Sequence, residues 1–372
     1  MANPSLIVNI VILMKLLITI FCLGFSAKMA TAQNASHSIP LADTVTKEHH
    51  LKNLRQLTFG GDNAEAYFSF DSKALTFQSN NAKWGVKCDQ IFFSNIESFP
   101  NNGSYQPPML STGKGRTTCS YYMPGNETIL YASTHLGGKD CPPTPETSGA
   151  YLWPVYADFD IFVADKKGNI IKQLTYEKGY DAEATVSPDG KSIVFTSTRS
   201  GDLELWIMDI DGSNPRQITF GLGYDGGAFF SPDSKKLVFR ASRPQTPEEI
   251  TKYKDYLSKN LVAPTNMEIY TVNLDGSDLK QITHLGKANW APFYHPSQKK
   301  IIFSSNHHSN RGYDFQLYMI DIDGNNVEKI TNASIFNAFP MFSPDGKKLV
   351  FSSNRNNGGT RDTNLFIADW ED

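Results

Sequence analysis

The chain has 372 residues, of which 40% are hydrophobic, 20% charged and 12% aromatic. This balance is typical of a soluble globular body, and the aromatic content favours strands over helices. Lys+Arg (35) and Asp+Glu (38) give a formal net charge of -3. Because nucleic-acid binding needs basic patches that neutralise phosphates, this near-neutral chain is not expected to bind nucleic acid.

The N-terminal residues 6–25 are strongly apolar but contain Lys15. A single membrane helix disfavours a lysine near its middle. The segment fits translation from Met14 better, with a short basic start, an apolar core over Leu16–Phe25 and the small-residue motif Ala-Thr-Ala at 30–32. That order is typical of a secretory signal. The sequence therefore predicts an export signal that ends at this motif.

Cleavage after this motif removes a signal peptide over 1–32 and leaves 33–50 as a short N-terminal segment. The alternative is an uncleaved N-terminal anchor. Export predicts a periplasmic or secreted protein with no membrane span after cleavage, in a compartment that permits disulfides. Cys88, Cys119 and Cys141 remain. Three cysteines predict one disulfide and one free thiol, and their spacing leaves the pairing open.

Residues 51–372 contain six copies of one repeated unit. Each copy has a motif of the type Ser-Pro-Asp-Gly-Lys, and the six motifs begin at Ser69, Met123, Ser187, Ser231, His295 and Ser343. Apolar runs with period-two alternation follow, separated by Asp-Gly turns and short runs that end in Gln-x-Thr. Proline presets φ and glycine accepts positive φ, so both motifs indicate turns. Each unit therefore predicts four antiparallel strands, which form one blade of a β-propeller.

The last unit lacks its fourth strand, because the chain ends with the third strand at 364–370. A segment with the missing pattern occurs near the other end, at 54–58. We therefore expect an all-β, six-bladed propeller whose N-terminal strand pairs with the last blade, since closure removes the exposed edges of an open array. One short helix is predicted in a blade 4 loop, where Thr246 and Glu249 form a capping box around Pro247.

This repeat resembles the TolB-like (WD-type) β-propeller repeat of bacterial periplasmic proteins, over 51–372. The resemblance implies the propeller fold and says little about function, because function depends on sites rather than folds. TolB itself carries an additional α/β domain before its propeller. Only 33–50 separate the predicted cleavage site from the first blade here, so a chain without that domain is predicted.

Aligning the six units places short polar residues at one position, at the start of the first strand. The members of this first column are Asn63, Thr117, Asp181, Asp225, Asn289 and Asn337. They are interpreted either as caps of local turns or as a polar ring at the channel mouth for a cation or a hydroxyl-rich ligand. Two positions further, Glu65 and Glu183 align with Cys119. These glutamates are expected to extend inward, where they either support acid–base chemistry with raised pKa values or pair with an arginine.

A second column follows the second strand of each unit and is mostly basic. Its members are Asn81, His135, Arg199, Arg243, His307 and Arg355. One interpretation is ion pairing with the acidic residues between blades. The other is a collar that binds a carboxylate, because arginine contacts carboxylates through two parallel hydrogen bonds. Arg116 and Arg311 are further candidates for this collar.

Histidines offer a third hypothesis. Oligogalacturonate lyases share a related propeller repeat and use three histidines to hold a divalent metal. The candidates here are His135, His295, His307 and His308, whose alternative role is ordinary hydrogen bonding. No cofactor is predicted, and a divalent metal in the channel is kept as an alternative.

Long connections between the second and third strands emerge on one face of the propeller, at 134–159, 242–266, 306–315 and 354–363. Such loops on a rigid scaffold commonly carry binding and catalysis. The chain has no Gly-x-Ser-x-Gly nucleophile motif and no His-Glu-x-x-His zinc motif. We therefore expect a binding module for a protein, peptide or anionic envelope ligand on this face. The alternatives are a lyase or hydrolase that acts on an anionic saccharide in the channel, and a purely structural scaffold.

Overall fold

The structure, a computed structural model, describes residues 48–100, 103 and 105–372. It consists of six antiparallel blades around a channel, as the repeat predicted. The predicted signal peptide at 1–32 and the alternative start at Met14 lie outside the described residues. None of the helices in the described part of the chain has the length and apolar composition that a membrane span needs.

The strands of the first three blades follow the repeat closely. After β1 (Leu51–Gln56), blade 1 contains β2 (Asn63–Phe68), β3 (Ala74–Ser79) and β4 (Gln90–Asn95). Blade 2 contains β5 (Thr117–Tyr122), β6 (Thr128–Ser133), β8 (Asp160–Asp165) and β9 (Ile170–Gln173), with β7 (Trp153–Pro154) in its long loop. Blade 3 contains β10 (Asp181–Val186), β11 (Ser192–Ser197), β12 (Glu204–Asp209) and β13 (Arg216–Gln217). In blade 1 a single bridge between Phe92 and Met109 replaces the fourth strand.

The remaining blades repeat the same order, with a helix and a short strand inserted in blade 4. Blade 4 contains β14 (Asp225–Phe230), β15 (Lys236–Ala241), β17 (Glu268–Asn273) and β18 (Lys280–Gln281), with α1 (Pro247–Ser258) and β16 (Leu261–Val262) in its long loop. Blade 5 contains β19 (Asn289–Tyr294), β20 (Lys300–Ser305), β21 (Gln316–Asp321) and β22 (Glu328–Lys329). Blade 6 contains β23 (Asn337–Phe342), β24 (Lys348–Ser353) and β25 (Asn364–Trp370).

The N-terminal strand closes the ring, as expected. Strand β1 pairs with β25, with Leu51 opposite Trp370 and Gln56 opposite Phe366. Just before β1, the carboxylate of Glu48 accepts two hydrogen bonds from Arg355, at 3.0 and 3.2 Å. The pairing of first and last strands removes two open sheet edges.

The Ser-Pro-Asp motif folds as the turn between the first and second strands of a blade. In blade 4, the Ser231 hydroxyl donates to Asp233 Oδ1 at 2.6 Å and accepts from the backbone N–H of Lys236 at 2.9 Å. Ser234 lies in the left-handed region, with φ 59°. The same Ser–Asp hydrogen bond occurs in blades 1, 3 and 6, so the motif satisfies its own backbone groups in each of these turns.

The Gln-x-Thr motif connects the outermost strand to the third strand. Thr219 Oγ1 donates to Glu204 Oε2 at 2.6 Å and accepts from the backbone N–H of Leu205 at 2.9 Å. Equivalent pairs occur elsewhere in the ring, namely Asp160–Thr175, Glu268–Thr283, Gln316–Thr331 and Gln90–Ser111. Both motifs are thus explained by the fold and leave no residue for chemistry.

Helix α1 begins where the sequence predicted, with Thr246 and Glu249 forming a capping box. Its Tyr253 is buried among the aromatic residues of the long loops and donates a hydrogen bond to Asp202. Cys88 and Cys141 form a disulfide, whereas Cys119 is buried and free. The disulfide ties the long loop of blade 2 to blade 1.

Candidate functional site

Two long loops meet on one face of the propeller. Strands β7 and β16 pair as a separate two-stranded sheet, with Leu261 opposite Pro154 and Val262 opposite Trp153. The Trp153 ring lies 5.0 Å from the Trp290 ring, centroid to centroid. We call this pair of loop strands the loop bridge. It joins blade 2 to blade 4 across blade 3, and its residues form a wall of the channel mouth.

Beneath the loop bridge lies a cavity of about 430 Å³. The inner strands supply its floor and polar groups, and the loops supply much of its aromatic wall. The aromatic residues that line this channel cavity are Tyr67, Tyr151, Trp153, Tyr156, Phe159, Tyr180, Tyr224, Phe229, Trp290, Phe336 and Phe339. A concave, mainly aromatic space with a few fixed polar groups is the usual form of a ligand site.

Every inner strand carries a bulge at its third residue. The ladder between the first and second strands shifts there in all six blades. The bulge residues have φ between 43° and 58° and are Glu65, Cys119, Glu183, Gly227, Ala291 and Phe339. All six line the channel cavity. Positive φ is rare for a non-glycine residue in a strand, and such bulges commonly re-aim a side chain at a functional site.

Polar side chains accept hydrogen bonds from the bulged backbone. The N–H of Cys119 donates to Gln78 Oε1 at 3.0 Å, and the N–H of Gly227 donates to Glu183 Oε2 at 2.9 Å. The N–H of Phe339 donates to Ser304 Oγ at 3.1 Å. Each acceptor comes from the preceding blade, so the bulges are fixed by contacts between neighbours.

Glu183 is held in a saturated network. Its carboxylate accepts hydrogen bonds from Tyr224 Oη and Thr196 Oγ1, both at 2.7 Å, and pairs with Arg240. Burial favours the protonated form, but the Arg240 guanidinium and these hydrogen bonds outweigh it and hold the pKa of Glu183 below its ordinary value. Glu183 is therefore ionised and committed to its partners.

The space for Arg240 is made by a Gly-Gly pair in β14. A Cβ atom at Gly227 would overlap the Arg240 guanidinium, and one at Gly226 would collide with the Glu183 carboxylate. The guanidinium carbon lies 5.2 Å from the Trp153 ring centroid and 5.0 Å from that of Tyr224. Arg240 thus stands between a loop-bridge aromatic and an inner-strand aromatic, within cation–π distance of both.

Glu65, unlike Glu183, has few hydrogen-bond partners. Its Oε2 accepts one hydrogen bond, from the Cys119 thiol at 2.8 Å, and its Oε1 has no hydrogen-bond partner among the described residues. Burial, with a contribution from the charge of Glu183, raises the pKa of Glu65 to about 6. Burial also raises the pKa of Cys119 well above its ordinary value, so the thiol keeps its proton and is the donor.

The cavity's second arginine is also paired. Arg116 forms an ion pair with Asp89, and both residues line the rim of the cavity. Arg116 therefore does not stand as a free anion-binding group.

The first predicted column does not form a ring around the cavity. All six side chains are buried, and only Thr117 reaches the cavity lining. Asn63, for example, donates to the backbone oxygens of Gly60 at 3.0 Å and Thr363 at 2.8 Å. The residues one position earlier line the cavity instead, namely Asp62, Arg116, Tyr180, Tyr224 and Phe336. A shift of one residue along a strand turns a side chain to another face, so three aromatic residues, one aspartate and one arginine stand where a polar ring was expected.

The second column likewise turns toward its own blade. Arg199 pairs with Asp181 at 2.7 Å, and Arg243 pairs with Asp225. Arg355 donates to Asn337 Oδ1 at 2.8 Å besides contacting Glu48. The remaining members also bond within their blades, in the pairs Asn81–Gly60, His135–Ser133 and His307–Ser305. The ion pairs join two strands of one blade rather than two blades, and none of these residues lines the channel cavity.

The candidate histidines are dispersed. His135 lies against Phe162, while His307 and His308 lie around Tyr318. His295 belongs to the turn motif on the opposite face and contacts Asp372 at 3.1 Å. Within 48–100, 103 and 105–372, no three metal-ligating side chains form a cluster. These histidines do not fit the three-histidine metal hypothesis.

The comparisons with known proteins agree with the fold. A family profile described as the TolB beta propeller domain matches residues 155–262 and 255–368, which is more than half of the chain. The chain belongs to this family. No curated protein matches the sequence.

Solved structures show the same fold as this TolB-family propeller at low sequence identity. A TolB-type protein from Agrobacterium tumefaciens aligns with a TM-score of 0.53 and 19% identity, over 84% of this chain and 91% of its own. TolB from Acinetobacter baumannii aligns with 0.51 and 19%, over 84% of this chain and 64% of its own. An oligogalacturonate lyase in complex with manganese aligns with 0.51 and 14%, over 85% and 80%. At these identities the likeness concerns the fold alone.

Sequence reasoning identified Glu65, Glu183 and Cys119 as inward-facing but missed Arg240 and the loop bridge. The signal for Arg240 was its position, because the other five blades place Gln78, Ala132, Thr196, Ser304 and Ser352 there. Gly226 and Gly227 in the adjacent strand were the second signal. No comparable sequence pattern predicted the pairing of Trp153 with Val262.

Proposed function

We propose that this protein is an exported TolB-family binding module that holds part of a protein or peptide partner in the channel cavity, on the face of the long loops. The single observation that carries the proposal is the cavity itself, about 430 Å³ under the loop bridge. That volume lies within the range of ordinary ligand sites. It suits one or two side chains of a peptide or one small molecule.

Export is supported by two independent features. The predicted signal peptide at 1–32 precedes the propeller, and the Cys88–Cys141 disulfide is of the kind that persists in oxidising compartments. The disulfide also restrains the loop that supplies Trp153. A restrained loop loses less conformational freedom when a ligand binds, which favours affinity.

The lyase or hydrolase alternative rests on Glu65. A carboxyl with a pKa of about 6 is suited to proton transfer near neutral pH. An anionic saccharide, however, needs unpaired positive charge, and Arg240 and Arg116 are both paired with carboxylates. Binding of a protein or peptide is therefore better supported than turnover of an acidic sugar.

The proposal is tested by selecting peptides that bind the mature protein from residue 33 onward, and then measuring their affinities for two variants. Trp153→Ala removes an aromatic wall of the cavity. Phe220→Ala removes an aromatic ring that is 72% exposed and lies outside the cavity, and it serves as the matched control. We expect at least a tenfold loss of affinity for Trp153→Ala and no loss for Phe220→Ala.

Equal affinity of the selected peptides for wild type and a folded Trp153→Ala variant would overturn the cavity as the binding site. Circular dichroism establishes that the variant is folded. Incubation with trigalacturonate tests the enzymatic alternative: absorbance of unsaturated products reports a lyase, and new reducing ends without that absorbance report a hydrolase. Turnover that Glu65→Gln abolishes would replace the binding proposal.

A further inference from the structure

We infer that the ligand group held in the channel cavity is a cation, with the Glu65 carboxylate as its counter-charge. This inference rests on the proposed function and names the chemical class that the same site selects. A lysine or arginine side chain or a free amino terminus of a peptide has this chemistry.

The first step is the charge balance of the lining. Four carboxylates line the cavity, from Asp62, Glu65, Asp89 and Glu183, and two arginines face them. Arg240 pairs with Glu183, and Arg116 pairs with Asp89. No lysine or histidine is among the described lining residues. The remaining carboxylates, Glu65 and Asp62, have no cationic partner in the described structure, so the cavity has an excess of negative charge.

The second step is the geometry at Glu65. The bulge holds its backbone at φ 54°, and its side chain lines the cavity with Oε1 unpartnered among the described residues. The Cys119 thiol occupies only Oε2. Oε1 therefore stays available to the cavity, where a cationic donor would bind it through a charge-assisted hydrogen bond.

The aromatic wall of the cavity also favours a cation. Aromatic faces attract cations, and the protein already uses this wall in that way, since Arg240 lies within 5.2 Å of the Trp153 ring centroid. Tyr151, Tyr156 and Trp290 line the same space, and no cationic side chain from residues 48–100, 103 and 105–372 stacks on them. A ligand cation therefore finds both a counter-charge and unoccupied aromatic surface.

Burial of Glu65 is consistent with this assignment. Burial, with a contribution from the charge of Glu183, raises the pKa of Glu65 and so disfavours its ionised form. Asp62, Asp89 and Glu183 add negative potential from the neighbouring strands, and Arg240 and Arg116 oppose it. A bound cation stabilises the carboxylate, so binding and ionisation of Glu65 favour each other.

The experiment follows tryptophan fluorescence, to which the cavity residues Trp153 and Trp290 contribute, during titration with four probes. The probes are tri-lysine amide, tri-arginine amide, tri-glutamate and trigalacturonate. We expect saturable binding of the two cationic probes only, weakened at least tenfold by Glu65→Gln. The matched control is Glu127→Gln, which makes the same charge change on the opposite face at a side chain that is 82% exposed. This control is expected to bind like wild type.

The outcomes separate the two proposals. Binding of tri-glutamate or trigalacturonate that depends on Trp153, without binding of the cationic probes, would overturn the cation assignment and leave the cavity as the binding site. Cationic binding that Glu65→Gln and Glu127→Gln weaken equally would also overturn it, because the effect would then come from net charge. Selected peptides that bind independently of Trp153 would remove the proposed function as well.

Discussion

The two ends of the channel are built from the same six inner strands and differ in almost every property. The long-loop end holds a cavity of about 430 Å³ with carboxylates, arginines and aromatic walls. The turn-motif end holds a pocket of about 300 Å³ lined mainly by apolar residues. Four prolines of the repeated motif line that pocket, namely Pro188, Pro232, Pro296 and Pro344.

The difference follows from regularity. At the motif end, blades 3 to 6 contribute proline at the same position of the turn, and blade 1 contributes Phe70 there. At the loop end, the bulge position holds glutamate, cysteine, glycine, alanine and phenylalanine in different blades. When the residue type at one repeat position differs between blades, the channel is no longer symmetric there, and a ligand can bind in one orientation. A repeat position with the same residue type in each blade serves the fold instead.

A layer of aromatic side chains separates the two ends. Phe229 lies 5.6 Å from Tyr67 and 5.1 Å from Phe293, measured between ring centroids. Phe229 and Thr185 line both spaces. These residues therefore mark where the two spaces adjoin.

The largest expected difference between the loop end and the motif end of the channel is in the free energy of unfolding when one ion-pair partner is removed at each end. Arg240→Ala at the loop end leaves Glu183 as an uncompensated charge, with side-chain exposures of 8% and 10% for the pair. We expect a loss of about 3–5 kcal/mol in the free energy of unfolding. Lys236→Ala at the motif end breaks a pair exposed to 39% and 63% and is expected to cost less than about 1 kcal/mol. Urea denaturation measures both, and equal costs would contradict the distinction.

The disulfide sharpens the comparison by acting on one end only. Replacing Cys88 and Cys141 with serine frees the long loop of blade 2 and is expected to cost about 2–4 kcal/mol. Proteolysis should then cut first within 134–159 and leave the motif turns intact. Cys119→Ser is the control, because it keeps a donor to Glu65 and leaves the disulfide in place. Cleavage at the motif turns first would show that the disulfide supports the whole ring rather than the loop.

The smallest expected effect concerns Glu65 and depends on pH. Its pKa is raised from 4.5 to about 6 in the folded state. The stability that protonated Glu65 contributes is therefore present below pH 4.5 and is lost as the pH rises through about 6. Glu65→Gln lacks this loss, so it is expected to be more stable than wild type by up to about 2 kcal/mol at pH 8 and equal to it at pH 4.

Thermal unfolding of wild type and Glu65→Gln across this pH range measures the difference. If Glu65→Gln were less stable than wild type at pH 8, ionised Glu65 would stabilise the fold. The expected difference between the two ends of the channel, in which only the loop end contains a destabilising charge, would then be wrong.

Several features could be predicted from residues alone because they depend on neighbours in the chain. The turn at Ser231–Lys235, the capping box at Thr246 and the alternating strands are local, so their spacing identified six blades and one helix. Ring closure by β1 was also predictable, since the last unit lacked one strand and the N-terminus supplied it. Each of these inferences uses a pattern that repeats or a partner that is missing.

The site could be predicted only in part. Glu65, Glu183 and Cys119 were placed inward by alignment, whereas five of the six members of the expected polar ring do not line the cavity. The bulge that sets the cavity-facing residues is a deviation from simple alternation, and alternation was the basis of the assignment.

The sequence by itself determined the number of blades, their turns and the way the ring closes, because short-range hydrogen bonds and period-two patterning specify them. Only the tertiary structure decided which charges remain unpaired. Arg240 meets Glu183 across 57 residues of chain, Trp153 meets Val262 across a blade, and Glu65 is left with one thiol as its partner. Pairing over such distances depends on how blades pack side by side, and it is this packing that leaves a negative, aromatic cavity at one end of the channel.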